Sequence, residues 1–520
     1  MNSWKNTRKS FVNWLSNSEL RKKFCDNIKY ENLSFWWLTL LMDKDNINQT
    51  YWYESLNKKL NSEKNFLFTD KINYFSLTLL LIKKFISKIA SIIIIKVLFK
   101  TKTKKTENNC IQNCFYTMYT NMIQHNGNFI DRQYGLTSIK NIKTKNYIVE
   151  IPENFYLIKN FKIIKKNLKN IPVGFIIVNK NIKIFDILRV YFLCLIMLFK
   201  TLKILREKNY FIINNKDCKD VLEKKLLRSF FGSIQDQLLK GIALKNSLNL
   251  ISAKNFINCF DFHPQARAFY YFSKNSSSKN IININHANYS ENNIFFNYDP
   301  NDFSKIYSSY YSPKPDIYLC QGERYFKVVK KFLDHDRVFR LGSLKIELNK
   351  FKLEDYKISN KVNSKKTITI LCSINDYQSF VRLLNESNLN ELNIYVAPHP
   401  LKKIETIKYF RENLKMNFID ATDLDKNNIF KISDYIIFGD TSLGLELALK
   451  NYNIFRMYHH DYIPTFDIDD EIPTATNNLE ILELLKKNKI TQNPKKIETD
   501  YFYKYDMNAS NRLEQILDEL

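Results

Sequence analysis

The sequence predicts an α/β protein of two Rossmann-like, parallel-sheet domains facing a cleft, with an extra helical region ahead of them. From about residue 210, short β-branched runs alternate with longer helical patterns, the mark of parallel-sheet architecture. A polar, lysine-rich stretch at 343–366 divides two such series. Several apolar runs end in short polar loops carrying His, Asp, Arg or Ser, at the strand ends where open α/β sheets keep their ligands.

A chain of 520 residues that is 45% hydrophobic can bury more than one core. The formal charge of +26 would ordinarily point to a polyanionic partner. Lys, Asn and Ile are all read from A/T-rich codons, so genome composition accounts for part of that bias. No helix-turn-helix, zinc-finger or aromatic RNA-binding pattern stands beside the charge, so nucleic acid is not an expected partner. The eight cysteines are scattered, without a C-x-x-C pair or a histidine cluster at zinc spacing. They read as reduced core residues in a cytosolic compartment, and no metal or cofactor is expected. The first twenty residues hold no apolar core and no small-residue cleavage site of the secretory kind.

The elements follow in order. Residues 1–109 read as a helical region that includes "SFWWLTLL" and the apolar helix 72–99. Lys84, Lys88, Lys96 and Lys100 recur at multiples of four there, one stripe opposite an Ile/Leu/Phe face, so the helix can lie in a membrane interface. A second apolar helix, 187–206, is flanked by Arg189, Lys200, Lys203 and Arg206. Both uninterrupted apolar runs are shorter than a membrane span, and a buried core helix is the equal alternative for each. The first α/β domain is placed at 110–342 and the second at 343–490. A terminal helix within 491–520 is expected to pack back.

Four constellations carry candidate chemistry. "NIYVAPHPLKK" (393–403) runs a strand into Pro398, His399 and Pro400. The flanking prolines hold His399 in a strand-end loop, where it can donate to a phosphate while Lys402 or Lys403 adds charge. "DYIIFGDTSLGLELALKN" (434–451) is again strand, small-residue turn and helix. Gly439 is expected to permit an unusual dihedral, Asp440, Thr441 or Ser442 to cap the helix with its N–H groups facing an anion, and Glu446 to accept from ribose hydroxyls. In "NFINCFDFHPQARAFYYF" and "NIININHANYS" (from 255 and 280), Asp261 and His286 are candidates for a general base. His263 and Arg267 stand beside them on the acceptor or phosphate side. Gln321 opens the turn of a strand–helix–strand unit at 315–345, which links the halves. Each residue taken singly has an ordinary reading as a helix cap or a satisfied polar group.

With these motifs the chain resembles the GT-B superfamily of glycosyltransferases, in the branch with bacterial sialyltransferases, capsule Kdo transferases and CDP-glycerol glycerophosphotransferases. In that branch the positions matching His399-Pro400 and Ser442 bind the donor's nucleotide phosphate. The order "FHPQARAFYYF … INHANYS … PKPDIYLCQGERYFKVV … VFRLGSLK" is more closely similar to bacterial surface carbohydrate (O-antigen type) biosynthesis proteins. Asp261 opens a segment where that family usually has Glu, and Asn285-His286 replaces its Gln-His pair. The resemblance implies metal-independent sugar transfer from a nucleotide sugar to a lipid-linked or growing O-antigen or capsule glycan, at the inner face of the cytoplasmic membrane. Its alternatives are a CDP-polyol phosphotransferase on the same fold and a non-catalytic membrane-associated scaffold of polysaccharide assembly.

Overall fold

The computed structural model describes residues 3–42, 51–61, 73–99, 111–153, 155–285, 299–304, 308–348, 365–374, 376–387, 389, 391–400, 402–459, 462, 471–487, 489–506 and 508–520. His286 and most of the 343–366 stretch lie outside these residues.

Seven strands form the first sheet: β1 (Asn113–Met118), β2 (Lys145–Glu150), β3 (Gly174–Ile177), β4 (Asn255–Asn258), β5 (Asn280–Ile284), β6 (Ile317–Cys320) and β7 (Val338–Arg340). Their spatial order is β7-β6-β5-β4-β1-β2-β3, and every pairing is parallel. Helices cover both faces, which is why the strands read as nearly continuous apolar runs instead of alternating ones. The exceptions are asparagines at the strand starts, which satisfy one another. Asn255 Nδ2 donates to Asn113 Oδ1 and Asn280 Nδ2 to Asn255 Oδ1, each at 2.8 Å, an amide ladder across three strands.

The second sheet holds β8 (Thr367–Leu371), β9 (Asn393–Ala397), β10 (Ile419–Asp420), β11 (Tyr435–Phe438), β12 (Ile454–Met457) and β13 (Thr474–Ala475). Its order, β10-β9-β8-β11-β12-β13, is again wholly parallel. In both sheets the chain winds outward from a central strand, then returns and winds the other way. Each is therefore a doubly wound, Rossmann-like sheet with one reversal point, between β1 and β4 in the first and between β8 and β11 in the second. The architecture is two α/β domains.

The principal helices of the first domain are α1 (Tyr74–Leu98), α2 (Phe155–Lys169), α3 (Ile184–Glu207), α4 (Ile234–Ile251) and α5 (Pro264–Lys274). Those that flank the site in the second are α6 (Tyr377–Glu386), α7 (Lys403–Asn413) and α8 (Ser442–Leu449). The last helix, α9 (Ala509–Glu519), lies on the first domain, with Leu513 and Leu517 buried in the cluster that includes Ile257, Leu319 and Leu341. Burying two leucines is worth about 3–6 kcal/mol. The Ser510 N–H donates to Glu347 Oε1 (2.7 Å) and Arg512 Nε to the Leu341 carbonyl (2.7 Å), fixing the helix end.

The N-terminal residues share the first domain's core. Trp36 and Trp37 have no exposed surface, Trp14 Nε1 donates to the Tyr210 carbonyl and Trp37 Nε1 to that of Ser309, both at 3.1 Å.

The lysine stripe of α1 is turned inward in part, a correction to its expected solvent-facing role. Lys88 is 6% exposed and sits 2.8 Å from both Glu153 and Asp236. Asp236 also meets Lys240, and Lys240 meets Glu150 at 2.8 Å. A buried ammonium requires such partners, so the acids that follow β2 and open α4 draw the stripe toward the protein.

A candidate anion site between the two domains

Both reversal points open at the carboxyl ends of their strands, and charged residues beyond those ends act on one another electrostatically across the domains. On the first-domain side the hairpin 122–131 runs into Asp131, Arg132 and Gln133. Gly135, at φ +58°, ends that loop so close to the Leu344 carbonyl that a Cβ would collide with it. The Gly135–Leu344 approach joins the loop of Arg132 to the segment of Lys345, and the Arg132 charge acts on that lysine although the two are far apart in sequence.

Lys345 marks the meeting point. It is half-buried, and burial holds its ammonium down at about 8, with Arg132 repelling it further. Cys259, Asp131 and Glu446 act in the opposite direction. Cys259 lies just past β4 and Glu446 is on α8, so one side chain feels groups at both reversal points. Asp131 has no exposed surface. Burial pushes its carboxyl up to about 6, against hydrogen bonds from the Thr117 hydroxyl and the Gln133 N–H (2.6 Å).

His399 follows β9 directly and is half-buried. Its imidazole is held below the ordinary histidine range, first by burial and then by the positive charges of Arg132 and Lys426. Arg132 is thus felt by both Lys345 and His399. Ser442, exposed at the start of α8, lies one turn before Glu446, and residues four apart share a helical face. The Arg132 charge thus acts on both Lys345 and His399, and the Lys426 charge acts on His399 as well. Such a set fits a multiply charged anion such as a diphosphate.

Other expected residues have different places. Pro400 is exposed, beyond His399, and the Lys402 ammonium is paired with Glu405 one turn along α7. Lys426 supplies the cation near His399 that Lys402 and Lys403 were expected to give. The Thr441 hydroxyl accepts from the Leu443 N–H (3.4 Å) as the helix cap. Gly439 does not take a left-handed φ, which corrects the reason given for it: a Cβ there would strike the Asp376 carboxylate. Asp376 accepts from the N–H groups of Ser373 (2.7 Å) and Asp440 (3.0 Å), tying the ends of β8 and β11 together. Burial, together with the Asp440 charge, pushes its carboxyl up to about 7. Asp440 in turn meets Arg456 (2.6 Å) and accepts from the Tyr462 hydroxyl (2.7 Å).

In the first domain, Asp261 and Arg267 do not reach the cleft. Asp261 has no exposed surface; the Tyr318 hydroxyl and Asn283 Nδ2 (3.1 Å) donate to its Oδ1, and its backbone takes φ +52°. It is a buried hub joining α5, β5 and β6, and it has no path to an acceptor hydroxyl in this conformation. Arg267 is also wholly buried, its guanidinium 5.3 Å from the Trp37 ring centroid. Trp37, remote in sequence, lies against it. His263 caps α5 by accepting from the Gln265 N–H (3.2 Å), and Gln321 is buried with its N–H donated to Asn285 Oδ1 (3.4 Å). His286 would begin just beyond β5 and Asn285, outside the described residues. Among the described residues, no three His, Cys, Asp or Glu side chains gather as a metal site.

Sequence reasoning missed Arg132, Lys345 and Lys426. The signal for the first was the glycine that closes "DRQYG", a residue type that often marks close backbone approach. Nothing local marks Lys345 or Lys426 among so many lysines.

The fold defines a two-domain α/β protein, with candidate anion-binding charges beyond the strand ends of both sheets. No protein-family profile matches the chain, and no curated protein sequence does. Similar solved structures include a putative UDP-N-acetylglucosamine 2-epimerase from Listeria monocytogenes, at 11% identity and TM-score 0.41 over 79% of this chain and 98% of that one. The wall teichoic acid polymerase TagF is similar at 12% identity and TM-score 0.37, over 87% and 98%. Anabaena HepE, in complex with UDP and glucose, is similar at 8% identity and TM-score 0.41, over 79% and 100%. Likeness at these levels assigns neither family nor activity to this chain.

Proposed function

We propose that the protein is a glycosyltransferase that moves a sugar from a nucleotide-activated donor to a cell-surface polysaccharide precursor of the O-antigen or capsule kind. What supports this reading is that charge from one sheet's strand ends acts on the other's, Arg132 on His399 and Glu446 on Lys345, where two doubly wound sheets reverse. Transfer of this type breaks the bond between the anomeric carbon and the donor phosphate, forms a bond to an acceptor hydroxyl, and releases a nucleotide carrying the electron pair. The departing phosphate needs preorganised positive charge and N–H groups. Arg132, Lys345 and Lys426 supply charge, and His399, neutral near pH 7, donates a hydrogen bond. The Ser442 hydroxyl and the first N–H groups of α8 complete the cradle. Glu446 accepts from ribose hydroxyls. His286 is assigned the acceptor proton, since Asp261 is enclosed.

Calorimetric titration of the full chain with UDP and CDP tests the reading, followed by a panel of nucleotide sugars and CDP-polyols with products identified by mass spectrometry. His399→Ala should weaken nucleotide binding about tenfold while the melting temperature holds. Turnover of a CDP-polyol in place of every nucleotide sugar would assign the same cradle to polyol-phosphate transfer. Absence of nucleotide binding in the wild type would remove both and leave the scaffold alternative.

A further inference from the structure

On an ordinary surface helix the apolar stripe faces the core and the charged face meets water. Helix α1 breaks that rule. Its Lys88 is 6% exposed and paired inside, whereas Phe75 is 73% and Ile86 60% exposed, with Leu79 and Ile82 exposed between them. Helix α3 packs against α1, with the Phe85 and Tyr191 rings 5.0 Å apart. It buries Ile187, Val190, Cys194 and Leu198 and yet is also apolar outside, where Phe185, Phe192 and Phe199 are 71%, 67% and 68% exposed. Leu188 and Leu195 continue that outer stripe at helical spacing.

Charge complementarity says what covers this face. Helix α1 contains no acidic residue and leaves Lys83 and Lys96 exposed beside the apolar residues. Helix α2, joined to α1 through the Phe99–Phe161 ring pair (5.7 Å), carries five lysines and no acid. Lys200 and Lys203 are exposed toward the C-terminal end of α3. Large apolar residues beside lysines, on helices lying along a surface, fit an interface of lipid headgroups with negative charge. No helix among the described residues is long and apolar enough to cross a membrane. We infer that the joint outer face of α1 and α3 docks in the plane of an anionic lipid bilayer.

The placement matters for the cleft. Lys88 pairs with Glu153, three residues past the carboxyl end of β2, and α3 begins shortly after β3 ends. The apolar face therefore starts at the same edge of the first sheet from which Asp131 and Arg132 approach the second domain. A membrane-held substrate would meet the cleft from that edge.

The test uses the full chain and vesicles of phosphatidylglycerol mixed with phosphatidylethanolamine, against phosphatidylcholine vesicles. Wild-type protein should float with the anionic vesicles, and the triple variant Phe185→Ser/Phe192→Ser/Phe199→Ser should lose at least about tenfold in partitioning with its circular dichroism spectrum unchanged. Hydrogen exchange on the wild type needs no variant: anionic vesicles should slow exchange over 75–86 and 185–199. Failure to float, flotation of the triple variant equal to wild type, or unchanged exchange over those segments overturns the inference. So does a wild-type dimer in sedimentation velocity that the triple variant dissolves, because a second copy would then cover the face. Nucleotide binding is read without lipid, so the membrane inference and the transferase reading can fail separately.

Discussion

Replacing Lys345 by Arg separates charge from titration at the proposed diphosphate site. The Lys345 ammonium is held at about 8 by burial and by Arg132, well below an unfolded lysine near about 10.4. It is therefore about nine-tenths charged at pH 7 and about one-tenth charged at pH 9. An ammonium-to-phosphate hydrogen bond contributes about 1.5–3 kcal/mol, or about tenfold to a hundredfold in Kd. Bound anion favours the charged form, so affinity for UDP or CDP should fall as pH rises through 8, with proton uptake on binding. His399 is held below its ordinary range and stays neutral over pH 7 to 9.5, so it adds no step there. Lys426 is also pulled down, by burial and by Lys403, which makes the arginine comparison necessary. Arginine keeps its charge throughout. Lys345→Arg should bind with a flatter pH profile, and Lys345→Met should bind weakly at every pH. Calorimetric titrations at fixed ionic strength between pH 7 and 9.5 provide the readout. Wild-type affinity that does not change with pH, or an undiminished pH step in Lys345→Arg, would refute the assignment.

Three further predictions concern the frame that holds the site. Asp440→Ala leaves the wholly buried Arg456 guanidinium without its carboxylate and should cost about 3–5 kcal/mol in urea unfolding. Lys88→Met leaves Glu153 and Asp236 without the ammonium between them; a loss of similar size is expected, read as a lower denaturation midpoint. Asp376, raised to about 7 when folded, binds its proton more tightly in the folded than in the unfolded chain, so its contribution is present at low pH and is lost as pH rises toward 7. Asp376→Asn should accordingly flatten the decline in melting temperature between pH 5 and 7.5, as scanning calorimetry would record.

Much of the second domain was legible because its signals are local. The runs "TITIL" and "YIIF" are buried on both faces, and β8 and β11 fall where those runs stand. The loops bearing His399 and Ser442 follow such strands, and a strand-end loop is a property of chain order. Asp261 and Arg267 misled for a physical reason. A carboxylate or guanidinium that serves chemistry and one that is enclosed by partners are the same letter in sequence; Tyr318, Asn283 and Trp37, which enclose them, come from distant segments. The helix pattern at 72–99 was likewise correct in period, while which stripe faces inward depended on where Glu153 and Asp236 lie.

By itself the sequence determined the parallel α/β class, most strands of both sheets though not β1, β12 or β13, and the positions where several polar loops leave them, because hydrophobic periodicity and turn chemistry act over neighbouring residues. Only the tertiary structure decided which charges meet. The Arg132 charge acts on Lys345 where Gly135 lets two backbones touch, and the Glu446 charge acts on it from α8 of the second domain. The pKa of a half-buried lysine such as Lys345 is set by desolvation and by neighbours brought from elsewhere in the chain, and neither exists until the domains have packed.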